Sequence, residues 1–105
     1  MAIDWYAVRC VFELDKVPAE GVHRYEERIT IWRADSFDDA IAQAEKDAEE
    51  YAEEVDAAYL QLAQAYLLSD SIEEGSEVYS LMRDSPLPAE DYLDHYFDSG
   101  HERQQ

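Results

Sequence analysis

The side chains able to do chemistry are few and scattered. His23, His95 and His101 are the histidines, and no HxxxH or CxxC spacing gives any of them a second ligand; a zinc set normally shows such spacing. Cys10 is the single cysteine. It falls on the apolar parity of an alternating stretch, a face with no nearby cation, so it reads as an inert buried thiol, because a reactive thiolate needs an electropositive, accessible setting. Serines 36, 69, 71, 76, 80, 85 and 99 stand in no GxSxG context. Glycines 21, 75 and 100 are too sparse for a loop that cradles phosphate. No catalytic residue, metal site or cofactor is predicted, and the chain is not read as an enzyme.

Two groups of residues stand apart from this background. Glu27 is a carboxylate on an otherwise apolar parity with Tyr25, Ile29 and Ile31. If buried, it needs a partner or a raised pKa. With Tyr6 and Tyr25 it marks a candidate ligand pocket between helix and sheet; the competing reading is a strand-edge residue reaching solvent. The second group is Trp5, Arg9, Arg28 and Trp32, expected together on one face of a hairpin. Trp and Arg dominate interface hot spots. The competing reading packs the tryptophans locally and pairs the arginines with Glu13 and Glu26.

The elements that must position these residues follow from periodicity. From Ile3 to Leu14 the apolar set Tyr6, Val8, Cys10, Phe12 and Leu14 alternates with the mixed set Trp5, Ala7, Arg9, Val11 and Glu13, which predicts a strand. Pro18 and Gly21 mark a connecting loop over 15–22. His23 to Ala34 predicts a second strand, paired with the first so that the two apolar sets share a side. Two registers fit. One sets Val8 across from Ile29, with Trp5 opposite Trp32 and Arg9 opposite Arg28; the other is offset by two residues and sets Arg9 across from Glu26, avoiding the like-charge pair.

Ser36 is placed to cap a helix, with Asp38 and Asp39 at the positive end of its dipole. Phe37, Ala40, Ile41, Ala44, Ala48, Tyr51, Ala52 and Val55 form its apolar stripe. Residues 57–69 fit helix propensity and strand alternation equally well. A turn over 69–75 leads to a strand over 77–83. Pro88 opens a last helix running to Asp98, with Tyr92, Leu93, Tyr96 and Phe97 on its apolar side and Gly100 past its end. Residues 101–105 read as a frayed tail of a single domain spanning 1–105.

Taken in order, WYAVRCVFEL (5–14), YEERITIWRADSFDDAIAQAEKDAEEYA (25–52), YLQLAQAYLL (59–68), EVYSLM (77–82) and PAEDYLDHYFDSG (88–100) resemble a bacterial family known as domain of unknown function 4288. The resemblance covers nearly the whole chain and rests on a pattern of strands and helices. It implies no activity, cofactor or site. It does imply a strand over 59–68. The expected fold is then α+β, in the order β-β-α-β-β-α, with a four-stranded antiparallel sheet ordered 2-1-3-4. A right-handed crossover sets the third strand beside the first. Both helices cover one face, and the Trp5/Trp32 side is left uncovered.

Charge bounds the partners. Asp and Glu total 26 against 8 Lys and Arg, a net charge of −18. That field repels nucleic acid and anionic membrane. It is uneven: residues 1–34 carry a net −1, residues 35–56 a net −9 and residues 57–105 a net −8. No apolar run approaches the ~20 residues of a membrane span, no export signal opens the chain, and one cysteine fits a reducing cytosol, so a cytoplasmic location is expected. The leading functional expectation is a protein–protein interaction module, either self-associating as a homodimer or acting as an acidic inhibitor or immunity-type partner. The alternatives are a small-ligand binder or enzyme around Glu27, and a nucleic-acid mimic with carboxylates along 45–54.

Overall fold

The computed structural model describes residues 3–15, 19–68, 72–80 and 82–96. Five elements follow one another: β1 (Asp4–Leu14), β2 (Arg24–Ala34), α1 (Phe37–Glu54), β3 (Ala57–Leu68) and α2 (Ala89–Tyr96). The architecture is α+β, with an antiparallel sheet ordered β2-β1-β3. β1 is the central strand because its alternation is the strongest. Val8 and Phe12 are fully buried, and Tyr6 and Cys10 nearly so.

α1 lies across the face that carries Tyr6, Val8, Cys10 and Phe12. Ser36 caps it, its Oγ accepting from the Asp39 N–H at 3.1 Å. Ala40, Ala44, Ala48 and Ala52 recur every fourth residue and are all buried in the core cluster. With only a methyl group at each step, the helix backbone sits close to the sheet. Asp56, just past the C-cap Val55, takes φ 55° and turns the chain into β3; aspartate tolerates this left-handed region better than most residues. The segment that reads equally as helix or strand is therefore a strand, as the family resemblance implies. It is broken by a bulge between its pairings to Cys10 and Phe12, where Gln61 takes φ 62°.

Three expectations are corrected. Among the described residues the sheet has three strands, not four. Residues 76–80 and 82–85 join no ladder, and Leu81 lies outside the described residues. Tyr79 is the reason: its ring meets Tyr66 edge-on at 5.0 Å, and its hydroxyl accepts from Arg9 Nη1 at 2.9 Å. These contacts draw 76–80 over the sheet face opposite α1 as a strap, rather than along the edge of β3. Second, of the two helices α1 alone covers the sheet. Among the described residues α2 packs against neither the strands nor α1, and Leu93 is exposed. The predicted continuation of that helix through Phe97 and Asp98, and the tail 101–105, lie outside the described residues.

The third correction is the hairpin register. β1 and β2 pair with Tyr6 opposite Trp32, Val8 opposite Thr30, Cys10 opposite Arg28 and Phe12 opposite Glu26. Both expected registers set opposite parities against each other; the observed one stands a single step from the Val8–Ile29 register, and such a step flips every β2 side chain to the other face. The apolar parity Tyr25, Ile29 and Ile31 faces away from α1. The mixed parity Glu26, Arg28, Thr30 and Trp32 faces it. The flank of α1 explains the choice. Arg28 donates to Asp47 at 2.8 Å and its guanidinium lies 4.0 Å from the Tyr51 ring centroid. Tyr51 in turn donates to Glu26 at 2.7 Å. The polar margin of the helix meets polar residues of β2, and Ala34 closes the core at the strand end.

Candidate functional site

The register divides the Trp/Arg group between two faces. Arg28 and Trp32 stand on the α1 side: Arg28 is bound to Asp47, and Trp32 donates Nε1 to Thr30 Oγ1 at 2.7 Å. Trp5 and Arg9 stand on the opposite side. The Arg33 guanidinium lies 5.7 Å from the Trp5 ring. Arg9 is held by Glu27 at 3.0 Å, by Tyr79 at 2.9 Å and by Gln64, with the Tyr79 ring 5.4 Å away. The four residues form no single patch. The expected pairing of arginines with Glu13 and Glu26 is replaced by these partners, while Glu13 binds His23 at 2.8 Å.

The Glu27 group is divided in the same way. Tyr6 is buried beneath α1 and meets Phe37 edge-on at 5.1 Å. Tyr25 and Glu27 are exposed on the other face, and the Glu27 side chain is 61% exposed. No cleft joins the three, so the strand-edge reading of Glu27 describes its position. A shallow cavity of about 190 Å³ opens instead between β3 and the strap, lined by Tyr66, Leu67, Leu68, Glu77, Tyr79 and Ser80.

Cys10 is buried as expected, although a cation does share its face: Arg28 is directly across the ladder. Burial pushes the thiol pKa up, and a hydrogen bond with Tyr59 and the charge of Arg28 oppose that rise. Tyr59 is pushed up too, first by burial and then by donating to Glu45 Oε2 at 2.6 Å. The Tyr51 phenol is raised by its bond to Glu26 and by burial. Among the described residues no group of three or more His, Cys, Asp or Glu side chains is placed to hold a metal ion. The face of α1 considered as a nucleic-acid mimic is partly committed to the sheet, since Glu45, Asp47 and Glu49 bond Tyr59, Arg28 and Gln61.

The tyrosines give a pH prediction with a definite sign. A phenol whose folded pKa exceeds its unfolded value of about 10 holds its proton longer in the folded state. The stability it contributes is complete below pH ~10 and is lost as pH rises through the folded value. The urea midpoint of the wild type is expected to fall as pH rises above about 10, and the fall to be smaller in Tyr59→Phe. An equal fall in both proteins shows that Tyr59 is not responsible.

The two halves of the face away from α1 differ. The strap and Arg9 cover the β1–β3 half, where Ala7 is fully buried and Leu68 nearly so. Among the described residues nothing covers the β2 half. Tyr25 is 57% exposed, and Ile29 and Ile31 are each 38% exposed on a strand that ends the sheet. Sequence reasoning set these residues in the core; the signal that marks them is the near-neutral charge of residues 1–34 within a strongly anionic chain. Tyr79, Tyr66 and Arg33 carried no local signal.

No helix among the described residues is long and apolar enough to cross a membrane. The family model for Domain of unknown function (DUF4288) matches residues 5–80. The match runs from the start of β1 through the strap and stops short of α2. No curated protein and no solved structure matches the chain.

Proposed function

Because the chain belongs to the DUF4288 family, whose description carries no activity, we propose from its own residues that it is a protein–protein interaction module acting through the β2 half of the sheet. The observation that carries this reading is the bare apolar row Tyr25, Ile29 and Ile31, beside a half of the same face that the strap covers. Apolar side chains in a row on an otherwise charged surface mark a contact site more often than they serve solubility. Glu27 lies between Tyr25 and Ile29, and Arg33 follows Ile31 on the same parity, so the Ile29–Ile31 strip faces the solvent with a charged rim. Such a rim steers and selects partners while the strip supplies the buried area. The setting proposed with it is the cytoplasm, where a single buried thiol needs no oxidising compartment.

The test removes the strip without touching the core. Ile29→Asp/Ile31→Asp places carboxylates on the exposed parity and leaves the α1 face intact. Both chains are immobilised and exposed to a lysate of the source cells. The wild type is expected to retain a discrete partner, whether a second copy or another protein. The double variant, with an unchanged circular dichroism spectrum, is expected to lose it. Equal retention by both chains overturns the reading.

A further inference from the structure

Among the described residues β2 ends the sheet, with β1 as its one ladder neighbour. Its eleven residues pair with β1 without a register shift. The strand contains neither proline nor bulge, two of the devices that blunt an edge, and its five charged residues are of mixed sign. The opposite edge strand, β3, does carry such a device: its bulge kinks the ladder between Tyr59 and Ala63. Of the two edges, β2 is therefore the one built to accept another strand. The Arg33 carbonyl on β2 accepts from Gln43 Nε2 at 3.0 Å and keeps a second lone pair.

Charge then selects the occupant. Arg24, Arg28 and Arg33 outnumber Glu26 and Glu27, so β2 carries +1 in a chain of −18. It is a segment where two copies of this anionic protein can meet without facing like charge. Its sequence is also complementary to itself. When two β2 strands run antiparallel about a two-fold axis at Thr30, Ile29 meets Ile31 of the second copy and Glu27 meets Arg33 of the second copy. On the α1 side, Arg28 meets Trp32 of the second copy, a cation–π pairing. Each of these pairs occurs twice by symmetry. Same-parity pairing keeps both α1 helices on one side of the joined sheet. A shift of two residues destroys the match. Centring on Ile29 sets Glu27 against Ile31, and centring on Ile31 sets Glu27 against Asp35.

We propose that β2 pairs with β2 of a second copy about Thr30, joining two three-stranded sheets into one of six strands. The proposal rests on the reading of the β2 half as an interaction face and names its partner. Cross-strand aliphatic and opposite-charge pairs stabilise such a ladder. Glu27 is able to serve two cations, because one carboxylate oxygen binds Arg9 and the other remains for Arg33.

Mixing complementary charge variants tests the register. Glu27→Arg sets arginine against Arg33 twice in its own dimer, and Arg33→Glu sets glutamate against Glu27 twice. Each variant alone is expected to sediment near the 12.2 kDa of one chain, at high micromolar concentration where the wild type sediments at twice that mass. An equimolar mixture restores both complementary pairs in a heterodimer and is expected to return to the dimer mass. Rescue on mixing is not produced by a variant that merely folds poorly. A monomeric wild type, single variants that stay dimeric, or a mixture that stays monomeric overturns the proposal. If the wild type is monomeric and Ile29→Asp/Ile31→Asp still loses another protein, self-pairing falls while the interaction reading stands.

Discussion

Phe12→Ala is expected to unfold a large fraction of the protein at physiological temperature. Among the described residues Phe12 is the largest side chain with no exposed surface. Its ring meets Tyr51 edge-on at 5.2 Å and lies tilted against Tyr59 at 5.5 Å, so one residue of β1 holds α1 and β3 together. Truncating a buried phenylalanine costs about 3–5 kcal/mol through lost transfer energy and the cavity left behind. The aromatic pairs add to the loss. Both tyrosines are tied by their hydroxyls to carboxylates, Tyr51 to Glu26 and Tyr59 to Glu45, so neither swings in freely to fill the space. A domain of this size has a total stability of about 5–15 kcal/mol. The expected reading is a fall in Tm on the order of 20 °C by calorimetry, at roughly 4–8 °C per kcal/mol. Phe12→Leu, which keeps most of the volume, is expected to fall by much less. Equal shifts for Leu and Ala mean that the site collapses around either residue, and the bridging role is then lost.

The same neighbourhood shows what a sequence is able to tell and what it withholds. The β1 alternation, the Ser36 cap and the alanine repeat of α1 are local patterns with one sensible reading, and each stands where the pattern set it. β3 was readable only by resemblance, because Ala-Ala-Tyr-Leu-Gln-Leu carries helix propensity and strand alternation at once. The β2 register was not readable. Its apolar parity, Tyr25, Ile29 and Ile31, matches the buried set of β1 by composition. The face that α1 covers is decided instead by Asp47 and Tyr51 reaching Arg28 and Glu26, a tertiary match between residues about 20 apart in sequence. One register step then carried the whole candidate site with it: Arg28 and Trp32 moved under the helix, and Ile29 and Ile31 moved out. The strap escaped for a similar reason. Glu-Val-Tyr-Ser has the composition of a strand, and the Arg9–Tyr79 contact that pulls it off the sheet edge spans 70 residues.

Ala48→Leu is the complementary experiment, adding volume where Phe12→Ala removes it. Ala48 is 1% exposed, in the middle of the row Ala40, Ala44, Ala48 and Ala52. That row allows α1 to lie close against the buried residues of β1 and Tyr59 of β3. A leucine there adds three carbons at a position with almost no exposed surface. Overpacking of this kind costs about 1–3 kcal/mol, and more where the backbone is held. α1 is held on both flanks, by Arg28–Asp47 on the β2 side and by Tyr59–Glu45 on the β3 side. To admit the leucine the helix must lift, and lifting stretches both contacts together. The loss is therefore expected at or above the upper end of that range, with a matching drop in the urea midpoint. Ala42→Leu, on the exposed side of the same helix, is expected to move stability by no more than about 0.5 kcal/mol. If the two leucine variants unfold at the same urea concentration, α1 has room above the sheet, and close approach is not what the alanine row provides.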